Sequence, residues 1–407
     1  MPSENKPLFR LLEKSLVRYL KNGESLILLG PRQVGKTTLI QKITKKFKNK
    51  TEYYLQDPSV RLEIEADPGK IIRQIEAIDG KPLVFVDEAQ KIPEIFDSAQ
   101  FLIDKRKAVF ILTGSSARKL KRRGANLLPG RVKKYNLDPL TWAELGLISG
   151  STIKNLSLKN INKNQNYSFE ESLVFGSLPA VINTKDRRGF LKSYSELYLE
   201  EEIRAEALSR KIGSFSRFLE LAASESGTSP NLTKLSNESG VSVPTIKEFY
   251  QILVDTLVVE KIDPFLRNAR KRILSLPRYY FFDLGVRNAI ARLPLVLDTI
   301  NTQKGILFEH AVILEITRRI KALNKDYKVY YWRTRGGAEV DCVLDLGDEV
   351  IPIEIKSSKS VSLSEVKGLN IFLNDYKEIA KRAYVITMGS KKEKLSDKIT
   401  VLPWDQL

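Results

Sequence analysis

The stretch GPRQVGKTTL, residues 30–39, decides the fold. From Gly30 to Thr37 it fits the pattern G-x-x-x-x-G-K-[ST] in full, between the apolar run Ser25–Leu29 and a predicted helix over Thr38–Phe47. Glycines let the backbone wrap around phosphate groups, and the amides at a helix N-terminus favour negative charge. The sequence therefore predicts a buried strand, a phosphate-binding loop and a helix, in that order.

The side chains and amides of this loop have expected roles in binding ATP. We expect Lys36 to bridge the β- and γ-phosphates and the Thr37 hydroxyl to hold Mg²⁺. Backbone amides from Gln33 onward can point at the phosphates. The expected nucleotide-binding set is Gly30, Gln33, Val34, Gly35, Lys36, Thr37 and Thr38.

A second buried strand is predicted at Pro82–Val86, and two carboxylates follow it directly. We expect Asp87 to hold Mg²⁺ and Glu88 to polarise the attacking water as general base. An ordinary acidic strand end is the alternative. The phosphate loop upstream favours the catalytic interpretation.

A third predicted strand, Ala108–Thr113, is followed by small polar residues. Beside the second strand, it would bring Thr113, Ser115 or Ser116 to where the γ-phosphate is sensed; a simple strand-to-turn junction is the alternative. Further along, Arg131 is a candidate arginine finger, acting in cis or on a neighbouring subunit. Other basic residues compete for that role, or form only a solvated surface: Arg118, Arg122 and Arg123.

Five strings carry a resemblance to a known family: GPRQVGKTTL, LVFVDEAQKIP, FILTGSSARKL, LLPGR and YNLDPLTWAEL, in this order within residues 8–146. They resemble the archaeal and bacterial AAA-type ATPases that carry a C-terminal region of unassigned function. Phe175–Pro179 and Tyr198–Glu201 look like later landmarks of that family, although Ser177 stands where a second glycine is expected. The resemblance implies ATP hydrolysis with Mg²⁺.

The rare residues exclude other chemistries. Among 407 residues, Cys342 is the only cysteine and His310 the only histidine. An intrachain disulfide is excluded, as is a zinc site of cysteines and histidines. A Ser-His-Asp triad would need His310, which has no nucleophile elbow nearby. No apolar run approaches the roughly 18 residues of a membrane span, so we expect a cytosolic protein without a membrane partner.

The charge balance favours a polyanionic partner. The formal net charge is +18, from 67 basic and 49 acidic side chains. We expect DNA as that partner, bound in a way that weakens steeply with salt. A solvated basic surface is the alternative. The basic residues are densest in two runs: Lys42, Lys45, Lys46, Lys48 and Lys50, and then Arg118, Lys119, Lys121, Arg122, Arg123, Arg131, Lys133 and Lys134.

Residues 232–247 have the spacing of apolar and turn residues that is typical of a helix-turn-helix. Gly240 would supply the left-handed residue of the turn, and Ser242 would cap the second helix. That helix would expose Ser242, Thr245, Lys247 and Glu248, a weak set for reading bases. A wing is predicted near Arg267–Arg272. The module is therefore predicted to be a winged helix that contacts DNA or, alternatively, a protein.

Carboxylates recur in the last quarter of the chain. Glu354 and Lys356 lie two positions apart on a predicted strand and face the same side, and a hairpin could bring Asp341 beside them. Glu309, on the preceding helix, could add a third carboxylate. Such a set suits a Mg²⁺-dependent phosphodiesterase, with Asp341 and Glu354 as metal ligands. The order resembles the restriction-endonuclease-like superfamily, whose fold also serves as an inactive DNA clamp or partner platform.

The predicted fold class is α/β. A P-loop AAA-type parallel sheet occupies residues 1–150, a helical lid 151–226, a winged helix-turn-helix 227–265, and a restriction-endonuclease-like α/β domain 266–407. The leading hypothesis is a Mg²⁺-dependent ATPase that couples hydrolysis to DNA binding or remodelling, on branched DNA or in mobile-element defence. The alternatives are an ATP-dependent protein-interaction switch with inert C-terminal modules, and an ATP-regulated nuclease. A homo-oligomer is compatible with each.

Overall fold

The computed structural model describes residues 8–115, 128–148, 150–153, 156, 167–198, 212–266 and 276–407. These residues form two compact units, one running up to Asp138 and including Asp255–Val258, the other made of Pro139–Val254 and Val259–Leu407. The four-part division above is finer and stays a prediction. Several predicted features lie outside the described residues: Ser116, Arg118, Lys119, Lys121, Arg122, Arg123, Leu199–Glu201 and Arg267–Arg272.

The first unit is built on a five-stranded parallel sheet with the order β2-β3-β4-β1-β5. Its strands are β1 (Ser25–Leu29), β2 (Lys50–Tyr54), β3 (Leu83–Asp87), β4 (Val109–Gly114) and β5 (Val132–Asn136). Its helices are α1 (Leu12–Lys21), α2 (Lys36–Thr44), α3 (Pro58–Ala66), α4 (Lys70–Glu76) and α5 (Glu94–Asp104). The predicted α/β class and its parallel P-loop sheet are confirmed.

The position of each strand in the sheet follows from its sequence. The central strands β1, β3 and β4 are buried along their whole length and consist mainly of Leu, Ile, Val and Phe. Buried on both faces, they read as continuous apolar runs, as parallel strands do. The edge strands β2 and β5 each bury only one residue, Tyr53 and Tyr135, and the other residues of these strands are partly or fully exposed.

The second unit begins with helices α6 (Trp142–Leu145), α7 (Phe169–Phe175), α8 (Pro179–Asn183) and α9 (Arg187–Ser193), followed by a π-helical turn at Tyr194–Tyr198. Further helices are α10 (Ile212–Ser224), α11 (Leu232–Ser239), α12 (Val243–Asp255), α13 (Leu284–Ile290), α14 (Thr299–Ala322) and α15 (Lys367–Asp375). None of the helices described combines the length and the apolar character that a bilayer crossing requires.

An eight-stranded mixed sheet forms the rest of the second unit, in the order β12-β13-β11-β10-β9-β8-β6-β7. Its strands are β6 (Val259–Pro264), β7 (Arg278–Phe281), β8 (Lys328–Arg333), β9 (Glu339–Asp345), β10 (Val350–Lys356), β11 (Ala383–Thr387), β12 (Glu393–Lys394) and β13 (Ile399–Pro403). The strands β8, β9 and β10 form an antiparallel meander, and β10 then pairs with β11 in parallel. The rings of Phe265 and Trp332 pack on Phe372 of α15, which covers this sheet.

Three helices of the second unit, α10, α11 and α12, pack together with the hairpin formed by β6 and β7. Helix α10 presents Phe218 to α12, where its ring contacts the rings of Phe249 and Tyr250. Gly240 joins α11 to α12 with a φ of 72°. Strands β6 and β7 then form an antiparallel pair, and Tyr279 of β7 stacks on Tyr250 with ring centroids 4.1 Å apart. This arrangement has the element order of a winged helix.

Candidate functional site

The phosphate loop lies between β1 and α2, as the motif predicts. Gln33 and Gly35 have positive φ angles of 61° and 90°, which turn the chain sharply into the helix. Gly30 has no room for a side chain, because a Cβ there would lie 2.2 Å from the Leu137 carbonyl oxygen. The loop is therefore wedged against the segment that follows β5, and its first glycine is required by close backbone approach.

Lys36 turns its side chain back into this loop. Its Nζ donates hydrogen bonds to the carbonyl oxygens of Gly30 and Pro31, at 2.8 and 3.0 Å, and the residue is buried. The ammonium thus lies where the loop would surround a phosphate group. An ammonium has three donors and no acceptor, so anionic oxygens can take the place of these carbonyls.

Asp87 is held between two threonines at the carboxyl edge of the sheet. Thr37 Oγ1 donates to its Oδ2 at 2.9 Å, and Thr113 Oγ1 donates to its Oδ1 at 2.5 Å. Asp87 is 2% exposed. These contacts fix the carboxylate directly beside the Thr37 hydroxyl, which creates a pair of hard oxygen ligands suited to Mg²⁺.

Glu88 is locked in a strained and buried position next to this pair. Its φ of 56° is left-handed, and its amide donates to Thr113 Oγ1 at 3.1 Å. The carboxylate accepts hydrogen bonds from the Gln90 amide and from the Ser115 hydroxyl, the latter at 3.3 Å. A non-glycine residue with positive φ carries a conformational cost and is common at functional sites.

The order of the strands explains how these residues meet. Strand β4 lies between β1 and β3, so Thr113 and Ser115 at its carboxyl end stand between the phosphate loop and Glu88. The expected neighbourhood of β3 and β4 is therefore observed. Gln90 Nε2 also donates a hydrogen bond to the Ser115 hydroxyl at 3.2 Å. The sequence did not predict Gln90 as a site residue, and its position two residues after Glu88 is the one signal that could have indicated it.

The prediction that Arg131 is an arginine finger acting in cis requires a correction. It precedes β5, whose first residue Val132 pairs with Ser25 at the start of β1, whereas the phosphate loop follows the other end of β1. Its guanidinium makes a two-pronged ion pair with Asp104 at 2.6 and 3.0 Å, and Arg131 lowers the pKa of that carboxyl. A finger in cis is therefore wrong, because the length of β5 separates Arg131 from the loop; action on another subunit stays a prediction.

The second unit brings the predicted carboxylate set together. The pairing of Cys342 with Ile353 sets β9 beside β10, and Asp341 Oδ2 accepts a hydrogen bond from the Ile355 amide at 2.8 Å. Lys356 Nζ donates to Glu354 Oε1 at 2.7 Å, as expected for residues on one face of a strand. Glu309 of α14 interacts electrostatically with Asp341.

Three further residues complete this cluster and were not predicted. Tyr280 Oη donates to Glu309 Oε1 at 3.0 Å. Arg278 forms an ion pair with Glu339 and lies 3.6 Å from Glu309 Oε1. Because Arg278 and Tyr280 come from the hairpin strand β7, they had no motif that linked them to the carboxylates.

Burial, together with the crowding of carboxylates, raises the pKa values of Glu309, Asp341 and Glu354. Burial, reinforced by the charge of Asp341, raises the pKa of Glu309 to about 7 and that of Glu354 to about 8. Burial also raises the pKa of Asp341. Burial opposes the charge of Lys356, but its hydrogen bond with Glu354 raises the Lys356 pKa overall. The cluster therefore favours protons or a bound cation.

His310 and Cys342, which follow Glu309 and Asp341 in the chain, are both buried. His310 is buried with Nε2 at 2.8 Å from the Phe281 carbonyl oxygen, and burial lowers its pKa to about 3. Cys342 is buried in β9, where burial raises its thiol pKa.

Within the ranges described, no group of three or more His, Cys, Asp or Glu side chains is arranged to hold a metal ion as it stands. The metal role of Asp341 and Glu354 therefore stays a prediction.

Comparison with protein families gives three consecutive matches. Residues 22–146 match the family described as AAA domain. Residues 166–296 match the domain of unknown function DUF8612, and residues 304–407 match the domain of unknown function DUF4143. The first match and the parallel sheet agree with the AAA-type P-loop domain that the resemblance implied. The other two names carry no function, so the winged-helix and nuclease-like interpretations stay predictions.

Relatives extend over nearly the whole chain. The uncharacterized proteins Rv2008c of Mycobacterium tuberculosis and Mb2031c of Mycobacterium bovis are each 26% identical over 399 residues, which cover 96% of this chain and 82% of theirs. Among solved structures, the Walker-type ATPase PABY2304 of Pyrococcus abyssi is 13% identical with a TM-score of 0.45, covering 68% of this chain and 94% of its own. AMPPCP-bound DnaA from Aquifex aeolicus is 14% identical with a TM-score of 0.30, covering 59% of this chain and 86% of its own. These structural likenesses are too weak to carry an argument.

Proposed function

We propose that this protein is a Mg²⁺-dependent ATPase that binds ATP in the loop of residues 30–38. The observation that carries the proposal is the hydrogen bond of 2.9 Å between the Thr37 hydroxyl and Asp87, beside a lysine already turned into the loop. The match of residues 22–146 to an AAA domain supports it. Lys36 would exchange the Gly30 and Pro31 carbonyls for phosphate oxygens.

The ligands for the metal fit Mg²⁺ chemically. Thr37 and Asp87 offer adjacent hard oxygens, and Thr113 orients the carboxylate from its other side. The ion, when bound, neutralises charge on the phosphates. Asp87 would hold it directly or through water, in place of its present hydrogen bond with Thr37.

Glu88 would act as the general base. Its carboxylate would accept a proton from the water that attacks the γ-phosphate. Gln90 and Ser115 contact that carboxylate and would control its direction. Ser115 would in addition sense the γ-phosphate from the end of β4.

Release of phosphate from ATP, measured with Mg²⁺ and with excess chelator, tests this function. We expect turnover that requires the metal and is lost in Lys36→Ala. Lys45→Ala is the matched control, because Lys45 is exposed one residue beyond the end of the same helix. Equal turnover in the two variants would contradict the proposed site.

We further propose that hydrolysis is coupled to DNA. The net charge of +18 and the winged-helix order of α10, α11, α12 and the β6–β7 hairpin support this role. Helix α12 exposes Lys247 and Glu248, and Ser242 just before it. Turnover should rise with duplex, single-stranded or branched DNA at low salt. No stimulation and no gel retardation, with nucleotide-dependent capture of a protein, would favour the interaction switch instead.

A second candidate function is Mg²⁺-dependent DNA cleavage by the C-terminal sheet. The specific observation is the convergence of Asp341, Glu354 and Lys356 on one face of β9 and β10, with Glu309 beside them. We expect cutting to be lost in Asp341→Ala and in Lys356→Ala. Asp375→Ala, at an exposed helix end, is the control. Cutting that persists in both variants would exclude this site.

A further inference from the structure

Arg10 is a buried arginine that contacts the phosphate loop from outside the motif. It is 7% exposed and lies two residues before α1, in the first unit. Its Nη1 donates a hydrogen bond to the Val34 carbonyl oxygen at 2.7 Å, and its Nη2 donates to the Asp138 carbonyl oxygen at 2.6 Å. These acceptors lie 24 and 128 positions further along the chain. The guanidinium therefore joins the loop to the segment that follows β5.

The peptide that joins Val34 to Gly35 lies just before helix α2. Gly35 is the N-cap of that helix, and its carbonyl oxygen accepts a hydrogen bond from the Leu39 amide at 2.9 Å. The peptide is trans, so the Val34 carbonyl oxygen and the Gly35 amide hydrogen point in opposite directions. By holding the Val34 oxygen, Arg10 therefore also sets the direction of the Gly35 N–H.

The orientation of this peptide matters for an anionic ligand. The N–H groups at the start of a helix have no partner within the helix and favour negative charge. Gly35 has a φ of 90°, and a glycine reaches more backbone conformations than other residues do, so its neighbouring peptides rotate more easily. A rotated peptide would present the Val34 carbonyl oxygen in place of the N–H, and the partial negative charge of that oxygen would repel a phosphate.

We propose that Arg10 is a positioning residue for nucleotide binding. It holds the Val34 carbonyl away from the phosphates and thereby keeps the Gly35 N–H directed at them. Arg10 acts through the loop and not by touching the nucleotide, because both of its terminal nitrogens bind backbone carbonyls. The inference rests on the proposed binding of ATP by residues 30–38, and it adds to that site a residue that lies outside the motif.

Loss of Arg10 should change KM rather than kcat. A loop amide contacts the phosphates in bound ATP and in the transition state alike, so its loss raises KM and leaves kcat near the parental value. We expect KM for ATP to rise about tenfold in Arg10→Ala, as for the loss of one hydrogen bond to a charged group. A merely structural role would instead lower the folded fraction, which reduces the apparent kcat at an unchanged KM.

The test is steady-state phosphate release by the full chain with Mg²⁺, over a range of ATP concentrations, in the parent and in Arg10→Ala. Arg18→Ala is the matched control, because Arg18 is an exposed arginine of α1. A KM that rises in Arg10→Ala alone, with kcat within about threefold of the parent, supports the proposal. A parental KM in Arg10→Ala overturns it, as does an equal rise of KM in Arg18→Ala.

Arg10→Met keeps the test decisive if the alanine variant folds poorly. Methionine fills much of the space of the arginine stem but donates no hydrogen bond. A raised KM in Arg10→Met supports the proposal, and a parental KM with a lowered thermal unfolding temperature overturns it. A parent without ATP turnover contradicts the proposed function itself. A parent that turns over ATP, with an unchanged KM in the Arg10 variants, contradicts the role of Arg10 alone.

Discussion

Lys36 stands at the centre of the proposed chemistry, because its ammonium is already held inside the loop by two carbonyl oxygens. We predict that Lys36→Ala lowers ATP turnover by at least about 100-fold, since the transferring phosphoryl group loses a preorganised cation. Steady-state phosphate release measures the effect. Lys45→Ala should turn over like the parent, and a comparable loss in that variant would point to a general folding defect.

A substitution of Glu88 should distinguish the binding of ATP from its hydrolysis. We predict that Glu88→Gln lowers turnover by about 10²- to 10⁴-fold, because the amide cannot accept the proton of the attacking water. The affinity for ATP should stay within about threefold, since the proposed phosphate contacts come from Lys36 and the loop amides. Single-turnover kinetics beside nucleotide titration checks both halves. Rapid hydrolysis by this variant would show that the base is another residue.

Among single residues, the sequence predicts those that belong to a short motif. It misses those that contact residues far away along the chain. Lys36, Thr37 and Asp87 have the positions that their motifs indicate. Gln90 contacts Ser115, which lies 25 positions further along the chain, and Arg278 contacts Glu339, which lies 61 positions further along. No local sequence pattern indicates either contact. Such contacts depend on strand order and hairpin register.

The phosphate loop as an element depends on the close packing of Gly30. We predict that Gly30→Ala destabilises the first unit by about 1–3 kcal/mol and weakens ATP binding, because the new methyl group meets the Leu137 carbonyl oxygen. Chemical denaturation and nucleotide titration measure the two effects. Gly150→Ala is the control, since its Cβ would meet nothing within 4 Å. Parental stability in Gly30→Ala would contradict the described loop packing.

The free energy of unfolding should depend on pH because of Glu354 in strand β10. Its pKa of about 8 in the folded chain exceeds the ordinary carboxyl value of 4.5, so the unfolded chain releases this proton first as pH rises. Stability is therefore lost between roughly pH 4.5 and pH 8. Glu354→Gln should flatten this slope and gain about 1–3 kcal/mol at pH 8 relative to the parent. Denaturant melts of the metal-free chain at pH 5 and pH 8 measure it; an unchanged slope would contradict this assignment.

Whole elements are predictable where burial imposes a simple pattern. The strand Ser25–Leu29 has the predicted bounds, and β3 and β4 differ from prediction by one residue at each end. The edge strands β2 and β5 lack a continuous apolar run, because each has one face or edge in solvent, and were not predicted. Their existence follows from the neighbouring strand rather than from their own composition.

For the molecule as a whole, the proposed DNA role predicts a strong dependence on salt. Each phosphate neutralised by a lysine contributes about −0.9 to the slope of log affinity against log salt concentration. Lys247→Ala, on the exposed face of α12, should reduce the slope by about one. Lys392→Ala, exposed on the far edge of the mixed sheet region, should not. Gel retardation over a salt series measures both, and identical slopes would remove α12 from the interface.

The central claim is that the loop between β1 and α2 binds a nucleoside triphosphate. The most direct test is calorimetric titration of the purified chain with ATP in the presence of Mg²⁺, repeated with Lys36→Ala. We expect saturable binding at one site, weakened by at least about tenfold in the variant, as expected for the loss of a charge-assisted contact with phosphate. An absence of heat and of competition with any nucleoside triphosphate, or equal affinity in the two chains, would contradict the account.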